Sequence, residues 1–493
     1  MMPRFSPLTV VAALLTAVLP SAGWGDEFSD MAAAMGTATT LIGTHQTTTT
    51  NPDLTSINFW AQNPAAYEGA LANGTPPVPL SNPHMAQADA YGNIYIADKA
   101  SHSVLKITTD GRVHTFAGTH AAGFNGDGPA PATTLQLNNT NGLFVFPDGT
   151  VYLLDPGNRR IRRVGTDGIM TTIVTNPATE PGQTPNNGYD WYPSGRALWV
   201  SPDQQLIYYT NEFAPIQPAA VGAVALGATV KKWTPAGGIE VVCSKAVGFR
   251  NPGNIAVSPI DGKLYVTDRA EEDGTRTETG LYRIESPEAR SRISGFLNAP
   301  LAADGRLIGN SYIEQPRGIA FLPNGAYFLC THKALVSGSI FTSDVWYVDT
   351  AGVLHKFIQG KGKSDDSYFI GTNHAQPFNL SNLFNQARAV SIAPNGSLLV
   401  VCNDSGYVFR VNNLVPHLPA DLHSTHFGAD GLRLRWSGLF GRGYLIQRTG
   451  SLLSPSWQTI GAAGGFATGV PSEFLDPAAT GQTADFYRLA PAQ

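Results

Sequence analysis

Three arginines, one histidine and one asparagine occupy the same position of a sequence unit that recurs six times. In chain order, the residues at this position are His84, Asn141, Arg196, Gly253, Arg317 and Arg388. Guanidinium groups bind carboxylates and phosphates through two parallel hydrogen bonds, so clustered arginines are typical of anion sites. The spacing predicts a site for a small anionic ligand or for an anionic group of a larger partner. The alternative is that the arginines pair with acidic neighbours or with backbone carbonyls.

A run of aromatic residues is the second candidate for ligand binding. Tyr189, Asp190, Trp191 and Tyr192 are consecutive in the sequence. Aromatic faces stack on sugars and on other rings, so Tyr189 and Trp191 are predicted to contact a ligand. Packing between structural units explains the run equally well.

The sequence predicts no metal, no cofactor and no identifiable catalytic residue. It contains neither an H-E-x-x-H zinc motif nor a G-x-S-x-G nucleophile motif. His423 and His426 belong to a predicted linker that offers no further metal ligands. Gly123, Gly126 and Gly128 do not stand between a strand and a helix, so they indicate turns and not a nucleotide-binding loop.

Each recurring unit is predicted to be a four-stranded antiparallel sheet. One copy reads N-P-G-N-I-A-V-S-P-I-D-G-K-L-Y-V-T-D from Asn251, and another reads N-G-L-F-V-F-P-D-G-T-V-Y-L-L-D from Asn141. Two apolar strands flank a turn in which proline presets φ and glycine accepts a positive φ. In the copy from Asn141, strands at 161–164 and 170–174 complete the sheet. The second strands of the six copies centre on Tyr95, Tyr152, Tyr208, Tyr265, Phe328 and Leu399.

These units resemble the NHL repeat of secreted bacterial β-propellers. The resemblance is strongest in G-N-I-Y-I-A-D-K-A-S-H-S-V-L-K-I from Gly92 and in the connecting segment G-T-H-A-A-G-F-N-G-D-G from Gly118. It implies an all-β fold with a six-bladed propeller, in which the six-fold position faces a central channel. The last unit has three strands, and T-T-L-I-G-T-H at 39–45 repeats the T-F-A-G-T-H of 115–120. We therefore expect an N-terminal strand to close the last blade, although chance similarity is the alternative.

The resemblance also bears on the chemistry of the channel. It implies that the residues directly after the second strands are structural and form hydrogen bonds with the nearby backbone. These residues are Asp98, Asp155 and Asp268, with Asn211 at the equivalent position of the third unit. Propeller relatives that are amidoglycolate lyases hold zinc with three histidines, and lactonases hold calcium with Glu, Asn and Asp. Here only His84 and Asn141 match such ligands, and arginines repel calcium.

The chain divides into three predicted parts. Residues 1–25 are predicted to be a signal peptide, because Arg4 precedes an apolar stretch at 8–19 and small residues follow it; the alternative is a buried N-terminal helix. Residues 26–414 are assigned to the propeller, and residues 415–493 to a linker and a small β-sandwich that resembles Ig-like modules. We expect the mature protein to be secreted, periplasmic or associated with the cell envelope.

Composition excludes several classes of partner. A net charge of −5 without basic runs argues against nucleic acid. No apolar stretch reaches the length of a membrane span. Three cysteines are too few for a disulfide-stapled fold, so buried thiols are expected, with a Cys330–Cys402 bridge left open.

The sequence favours a binding protein whose partner is a small anionic ligand, a carbohydrate or another protein. Binding is expected on the face that carries the long connections, because long loops on a rigid scaffold often carry function. These connections span residues 46–82, 176–194, 212–228, 269–280, 332–343 and 361–386. The alternative is a lactonase-like or amidoglycolate-lyase-like enzyme with its site in the channel near His84 and Arg317, and a purely structural role is the third possibility.

Overall fold

The structure is a computed structural model that describes most of the chain. The described residues are 38–43, 57–177, 189–192, 198–215, 229–243, 249, 252–268, 279–296, 298–331, 334–337, 340–359, 370–371, 377–378, 387–403, 406–412, 421–462, 469–479 and 485–492. The predicted signal peptide and Arg196 lie outside these residues. Within them, no helix has both the length and the apolar character needed to cross a membrane.

Six of the antiparallel sheets that the described strands form are the blades, numbered here 1 to 6 along the chain, and the strands of each blade are given from the inner one outward. Blade 1 consists of Pro83–Ala88, Ile94–Asp98, Ser103–Ile107 and Val113–Ala117. Blade 2 consists of Gly142–Val145, Val151–Asp155, Arg160–Val164 and Ile169–Thr175, with Ala130–Pro131 added outside. Blade 3 consists of Leu198–Val200, Ile207–Pro215, Thr229–Thr234 and Gly238–Cys243, with Tyr189–Tyr192 paired to its second strand.

The remaining three blades follow the same order. Blade 4 consists of Pro252–Val257, Leu264–Asp268, Gly280–Ser286 and Ala289–Arg292. Blade 5 consists of Pro316–Phe321, Tyr327–Thr331, Asp344–Val348 and Leu354–Gln359. Blade 6 consists of Ala387–Ile392, Leu398–Cys402, Tyr407–Val411 and, from the other end of the chain, Ala38–Ile42. Two short strand pairs, Ala334–Ser337 with Ile340–Thr342 and Ile370–Gly371 with Pro377–Phe378, form separate two-stranded sheets.

The ring of blades closes on itself. Ala38–Ile42 pairs antiparallel with Tyr407–Val411. The N-terminal strand therefore completes blade 6, as the similarity between residues 39–45 and 115–120 predicts. The inner strand of each blade contacts the inner strand of the next, and that of blade 6 contacts that of blade 1. The N-terminal strand covers the edge of Tyr407–Val411 that a three-stranded last blade would expose. The predicted all-β propeller is therefore confirmed.

The hydrophobic core lies between neighbouring blades. Residues of both faces of each sheet are apolar, so adjacent blades pack face to face along the ring. Blades 5 and 6, for example, share a cluster that contains Phe328, Tyr347 and Phe409, all almost fully buried. The Pro-Asp-Gly and Pro-Asn-Gly sequences between first and second strands predict a positive φ at the glycine. Gly149 and Gly325 confirm this prediction with φ values of 88° and 90°.

Part of the first long connection packs on the outside of blade 1. Its two short helices, Phe59–Gln62 and Pro64–Tyr67, place the buried Trp60 ring in a stack on His120 at 5.0 Å. Glu68 accepts hydrogen bonds from the backbone and hydroxyl of Thr115, both at 3.0 Å. Burial opposes ionisation of Glu68, but these bonds outweigh it and lower the pKa of the carboxyl. This part of the connection therefore lies along the outer strand of blade 1.

Other helical turns are short 3-10 segments. They are Lys99–Ser101, Ala132–Thr134, Pro156–Asn158, Ile308–Asn310 and Pro477–Ala479.

The C-terminal part is a sandwich of two three-stranded sheets. One sheet contains Asp421–Gly428, Gly431–Ser437 and Ser472–Asp476, and the other contains Gln458–Ala462, Tyr444–Thr449 and Phe486–Pro491. Leu434 and Trp436 of the first sheet share a core with Tyr444 and Ile446 of the second. The assignment of His423 and His426 to a linker is wrong, because both lie in the first strand of this sandwich. The segment L-H-S-T-H-F at 422–427 has apolar residues only at its two ends. Because the four residues between them are polar, the sequence does not show the apolar alternation that is typical of a strand.

None of the three cysteines forms a disulfide, and all are buried. The Cys330–Cys402 bridge that the sequence left open does not form in this structure. Burial raises the pKa of Cys243 to about 11 and that of Cys330 to about 12, although nearby groups partly oppose the effect. Since the thiolate is the reactive form, such thiols are inert in the folded protein.

We expect a thiol reagent at pH 8 to modify none of the cysteines in the folded protein. In guanidinium without reductant, all three thiols should react, because unfolding exposes them. Spectrophotometric titration with a chromogenic disulfide measures both numbers. Rapid modification of the folded protein would contradict the burial, and one reactive thiol after unfolding would reveal a bridge.

Candidate functional site

His84, Arg317 and Arg388 each occupy a β-bulge at the start of an inner strand. In blade 5, Pro316 lies opposite Thr331 and Gly318 lies opposite Cys330, which leaves Arg317 as an extra residue. The same irregularity leaves His84 in blade 1 and Arg388 in blade 6 without an opposite residue in the neighbouring strand. A bulge interrupts the ladder and redirects a side chain, which is why bulges are common beside functional sites. The recurring sequence position is therefore also a recurring irregularity of the sheets.

Contacts between neighbouring inner strands place these positions at one level of the channel. A methyl group on Gly253 would lie 3.3 Å from the Cα of Arg317, and one on Gly318 would lie 2.9 Å from the Cα of Ala389. Further along, the Ser391 hydroxyl donates to the Ala86 carbonyl at 2.6 Å. The strands therefore run side by side with their starts aligned. We call the five described residues at the recurring sequence position the ring residues, namely His84, Asn141, Gly253, Arg317 and Arg388.

The side chains of the ring residues are buried. His84 and Arg317 are each 2% exposed, and Arg388 is 8% exposed. Arg317 and Arg388 both influence the pKa of the Cys330 thiol. Burial raises this pKa, while a hydrogen bond from the Gly318 N–H and the charges of both guanidinium groups oppose the rise. Two cations therefore gather between blades 5 and 6, in surroundings where water screens their charge only weakly.

Buried side chains fix the backbone segments that lead into the inner strands. In blade 1 the Asp98 carboxylate accepts hydrogen bonds from the N–H groups of Ser81 at 3.0 Å and Asn82 at 2.7 Å. Burial raises the pKa of Asp98, and these bonds oppose the rise. Because Asn82 is two residues before His84, the carboxylate fixes the backbone that presents the ring residue. The structural role implied for Asp98 agrees with these contacts.

Buried polar side chains also fix the backbone that leads into three other inner strands. In blade 2, Asp155 accepts from the Asn138 N–H at 2.7 Å and forms a fully buried ion pair with Arg162. In blade 4, the Thr267 hydroxyl donates to the Arg317 carbonyl at 3.0 Å. The Ser343 hydroxyl accepts from the Ala387 N–H at 2.6 Å, directly before Arg388. The backbone at the ring residues is thus held by buried polar side chains.

Glu314 is a residue that sequence reasoning missed. It is 3% exposed and precedes Arg317 by three residues, in the segment that enters blade 5. The available signal was an acidic residue in E-Q-P-R, where the equivalent segment of blade 1 reads S-N-P-H. Glu314 lies neither at the recurring inner-strand position nor after a second strand, so the repeat pattern does not identify it.

A cavity of about 170 Å³ lies in the channel below the ring residues. All six inner strands contribute to its wall. Among the wall residues are Met85, Phe144, Trp199, Val257, Ile319 and Ile392. We call this space the chamber. Because the wall begins next to His84 and two residues after Arg317 and Arg388, the chamber continues the channel from the level of the ring residues.

The sandwich supplies the far end of the chamber. Residues 437–441, here called the floor loop, join Gly431–Ser437 to Tyr444–Thr449 and reach the turns between first and second strands of the blades. The Phe440 ring lies 5.5 Å from that of Phe144 and 5.8 Å from that of Phe146. The Ser437 hydroxyl donates to the Pro323 carbonyl of blade 5. The floor loop therefore covers the turn end of the channel.

The other candidates from the sequence are less well placed. Arg196 lies outside the described residues. Tyr189 and Trp191 belong to a strand whose backbone pairs with residues 213 and 215 of blade 3. In the described parts of the chain, no group of three His, Cys, Asp or Glu residues is arranged to hold a metal ion. The ring residues do not suit calcium or zinc, because only His84 and Asn141 offer ligand atoms beside two arginines.

Comparison with known proteins finds distant similarity. No family model matches the chain. A gluconolactonase of Zymomonas mobilis is 25% identical over 315 residues, which cover 59% of this chain and 82% of that protein. A gluconolactonase from Xanthomonas campestris aligns with a TM-score of 0.41 and 16% identity, covering 67% of this chain and 85% of the other. An auxiliary nutrient-binding protein from Bacteroides thetaiotaomicron aligns with a TM-score of 0.48 and 10% identity, covering 77% and 76%.

Replacing Asp98 with alanine should destabilise the propeller by at least about 2 kcal/mol, because two buried N–H groups lose their acceptor at about 1–3 kcal/mol each. Asp98→Asn should cost less, since it keeps an acceptor oxygen. Guanidinium unfolding followed by circular dichroism measures the difference. Asp110→Ala, at an exposed position of the same blade, is the control, and equal stability of the two alanine variants would contradict this role.

Proposed function

We propose that this protein is an exported binding protein that holds a small anionic ligand, or an anionic group of a larger partner, at the ring residues. The observation that carries the proposal is the alignment of His84, Arg317 and Arg388 at one level of the channel. Two of them are permanent cations, and both are largely removed from water.

Burial strengthens the case for an anion. A guanidinium group in surroundings of low dielectric attracts an anion more strongly than one on the surface does. The bulges and the buried bonds to Asp98, Thr267 and Ser343 fix the backbone in advance, which lowers the entropic cost of binding. The protein as a whole carries a net charge of −5, so this cationic position is a local exception.

The proposal includes the parts of the chain on either side of the channel. Residues 1–25 act as a signal peptide, residues 26–414 form the propeller, and residues 415–493 form the linker and sandwich. The ligand enters from the face that carries the long connections, since the floor loop covers the other end. Tyr189 and Trp191 then contact a carbohydrate or a protein partner on that face, and Arg196 acts with the ring residues as the sixth member of their repeat position.

Neutralising the arginines should weaken anion binding. Arg317→Gln and Arg388→Gln each remove a charged hydrogen-bond donor worth about 1.5–3 kcal/mol, so Kd should rise about 10- to 100-fold. Isothermal titration with acetate, phenylacetate, gluconate and glucose 6-phosphate identifies the anion and measures the change. Neutral glucose tests whether charge is required.

Arg112→Gln is the matched control, because Arg112 is exposed and lies in blade 1. It should leave affinity unchanged. If a glutamine variant fails to fold, Arg388→Lys keeps the charge but loses the two-pronged geometry, and it should bind more weakly than the unaltered protein. Failure of every anion to bind, or equal affinity of the ring variants and the control, would reject the proposal.

A lactone hydrolase is the second candidate. It is supported by the 25% identity to a gluconolactonase over 315 residues, and by the buried carboxyl of Glu314 close in sequence to Arg317. A carboxylate beside a cation can act as a general base for water, while the cation stabilises the negative charge that develops on the carbonyl oxygen.

For this candidate we expect hydrolysis of gluconolactone above the spontaneous rate, measured by pH-stat in the presence of calcium and, separately, of a chelator. Glu314→Gln should lower the rate by about 10²–10⁴-fold, the usual contribution of a general base. Glu68→Gln, on the outside of blade 1, is the control for the same substitution. A rate equal to the blank would exclude this activity.

A further inference from the structure

Gln315 is a buried residue whose side-chain amide has no hydrogen-bond partner. It precedes Arg317 by two residues and is 2% exposed. Neither its Oε1 nor its Nε2 forms a hydrogen bond with any residue that the structure describes. Buried polar groups of folded proteins are nearly always hydrogen-bonded, so an amide that is open at both of its polar atoms is unusual. Such an amide suits a molecule that brings both a donor and an acceptor.

The backbone of Gln315 is held in a conformation that is uncommon for its residue type. Its φ is 47°, in the left-handed region that glutamine rarely adopts. Such a conformation persists only where the surrounding structure maintains it, and ligand-binding sites are among the places where it occurs. Directly afterwards, the Arg317 carbonyl accepts a hydrogen bond from the buried Thr267 hydroxyl at 3.0 Å. The fold therefore fixes the backbone that carries both the amide and the guanidinium group.

The same position of the repeat carries an amide side chain in most units. Two residues before the recurring position of the ring residues, five of the six units have asparagine or glutamine. These five are Asn82, Asn139, Asn251, Gln315 and Gln386. In blade 1, Asn82 repeats the burial of Gln315, because it is 4% exposed and its Oδ1 has no hydrogen-bond partner among the described residues. Open amide groups therefore accompany the ring residues in two blades.

A primary amide or a lactam is the chemical complement of the Gln315 side chain. In both groups an N–H and a C=O lie side by side, so they can form two parallel hydrogen bonds with Oε1 and Nε2. A trans peptide group directs its N–H and its C=O to opposite sides and cannot form both. Two residues of chain span at most about 7 Å. A molecule of a few carbon atoms is therefore long enough to place a carboxylate at Arg317 and an amide at Gln315.

We propose that the ligand of the ring residues is a small organic carboxylate that also carries a primary amide or a lactam, and that Gln315 binds this amide through both of its polar atoms. The position of the carboxylate rests on the proposed function, in which Arg317 and Arg388 hold the anion. The amide end rests on the open, buried side chain of Gln315. The two ends are therefore tested with separate comparisons.

The experiment compares each amide with a ketone of the same shape by isothermal titration of the purified full-length mature protein. Succinamate is paired with levulinate, in which a methyl group replaces the amide NH2. Pyroglutamate is paired with the cyclic ketone in which a methylene group replaces the ring N–H. Because each ketone keeps the carboxylate and the carbonyl but leaves the Gln315 Oε1 unpaired, the better amide should bind at least about tenfold more tightly than its ketone. The pair with the larger ratio distinguishes a primary amide from a lactam.

Gln315→Met is the decisive variant, because methionine is similar in length to glutamine but offers neither a strong donor nor a strong acceptor. The ratio between amide and ketone affinity should fall to about one, while the ketone binds as before. Gln62→Met, at an exposed position of the short helix Phe59–Gln62, is the matched control and should keep the full ratio. Should Gln315→Met fail to fold, Gln315→Asn tolerates the positive φ but withdraws the amide, and it should lower the ratio several-fold.

Each outcome supports or overturns a distinct part. A preference for the amide that disappears in Gln315→Met supports the inference. If amide and ketone bind equally to the unaltered protein, and Arg317→Gln weakens both, the amide site is overturned while the anion site stands. A preference that survives in Gln315→Met overturns the role of Gln315. If none of the four compounds binds, the inference and the proposed function both fall.

Discussion

The ring residues depend on buried hydrogen bonds between polar side chains and the backbone that enters each inner strand. Asp98 is fully buried and accepts from two N–H groups, and Ser343 accepts from the N–H that precedes Arg388. Unpaired buried N–H groups are costly, so these entries have one favourable conformation. A bulge persists at this point because the surrounding bonds fix the chain on both sides of it. The position of the ring side chains follows from that backbone, before any ligand is considered.

Close packing of the inner strands is the second constraint. A side chain on Gly318 would collide with the backbone of blade 6, and one on Gly253 would press against Thr267 and against the backbone of Arg317 in blade 5. The strands therefore approach closely where the ring begins, and they leave a chamber further along. The floor loop covers the turn end of that chamber. The level of the ring residues thus carries charge, and the chamber beyond it is lined by both polar and apolar surface.

The repeat made the blades predictable, because Pro-Asp-Gly turns and alternating apolar residues recur at a fixed spacing. It also identified His84, Arg317 and Arg388 as equivalent positions. The bulges could not be predicted, since a bulge depends on which partner residue each strand residue faces. Glu314 was missed because its significance comes from burial, which a single acidic letter does not reveal. The role of the floor loop could not be predicted either, because Phe440 contacts Phe144, which is almost 300 residues away in the sequence.

The contact of the sandwich with the propeller gives the C-terminal part a physical role in the site. A propeller channel that is open at both ends admits water from both faces, and water screens the charges of the ring residues. The floor loop covers the turn end of the channel and so limits access of water from that face. In the anion site that we propose, residues that never touch the anion would therefore strengthen its attraction to Arg317 and Arg388. On that proposal, the sandwich and the ring residues act together, although they lie far apart in the sequence.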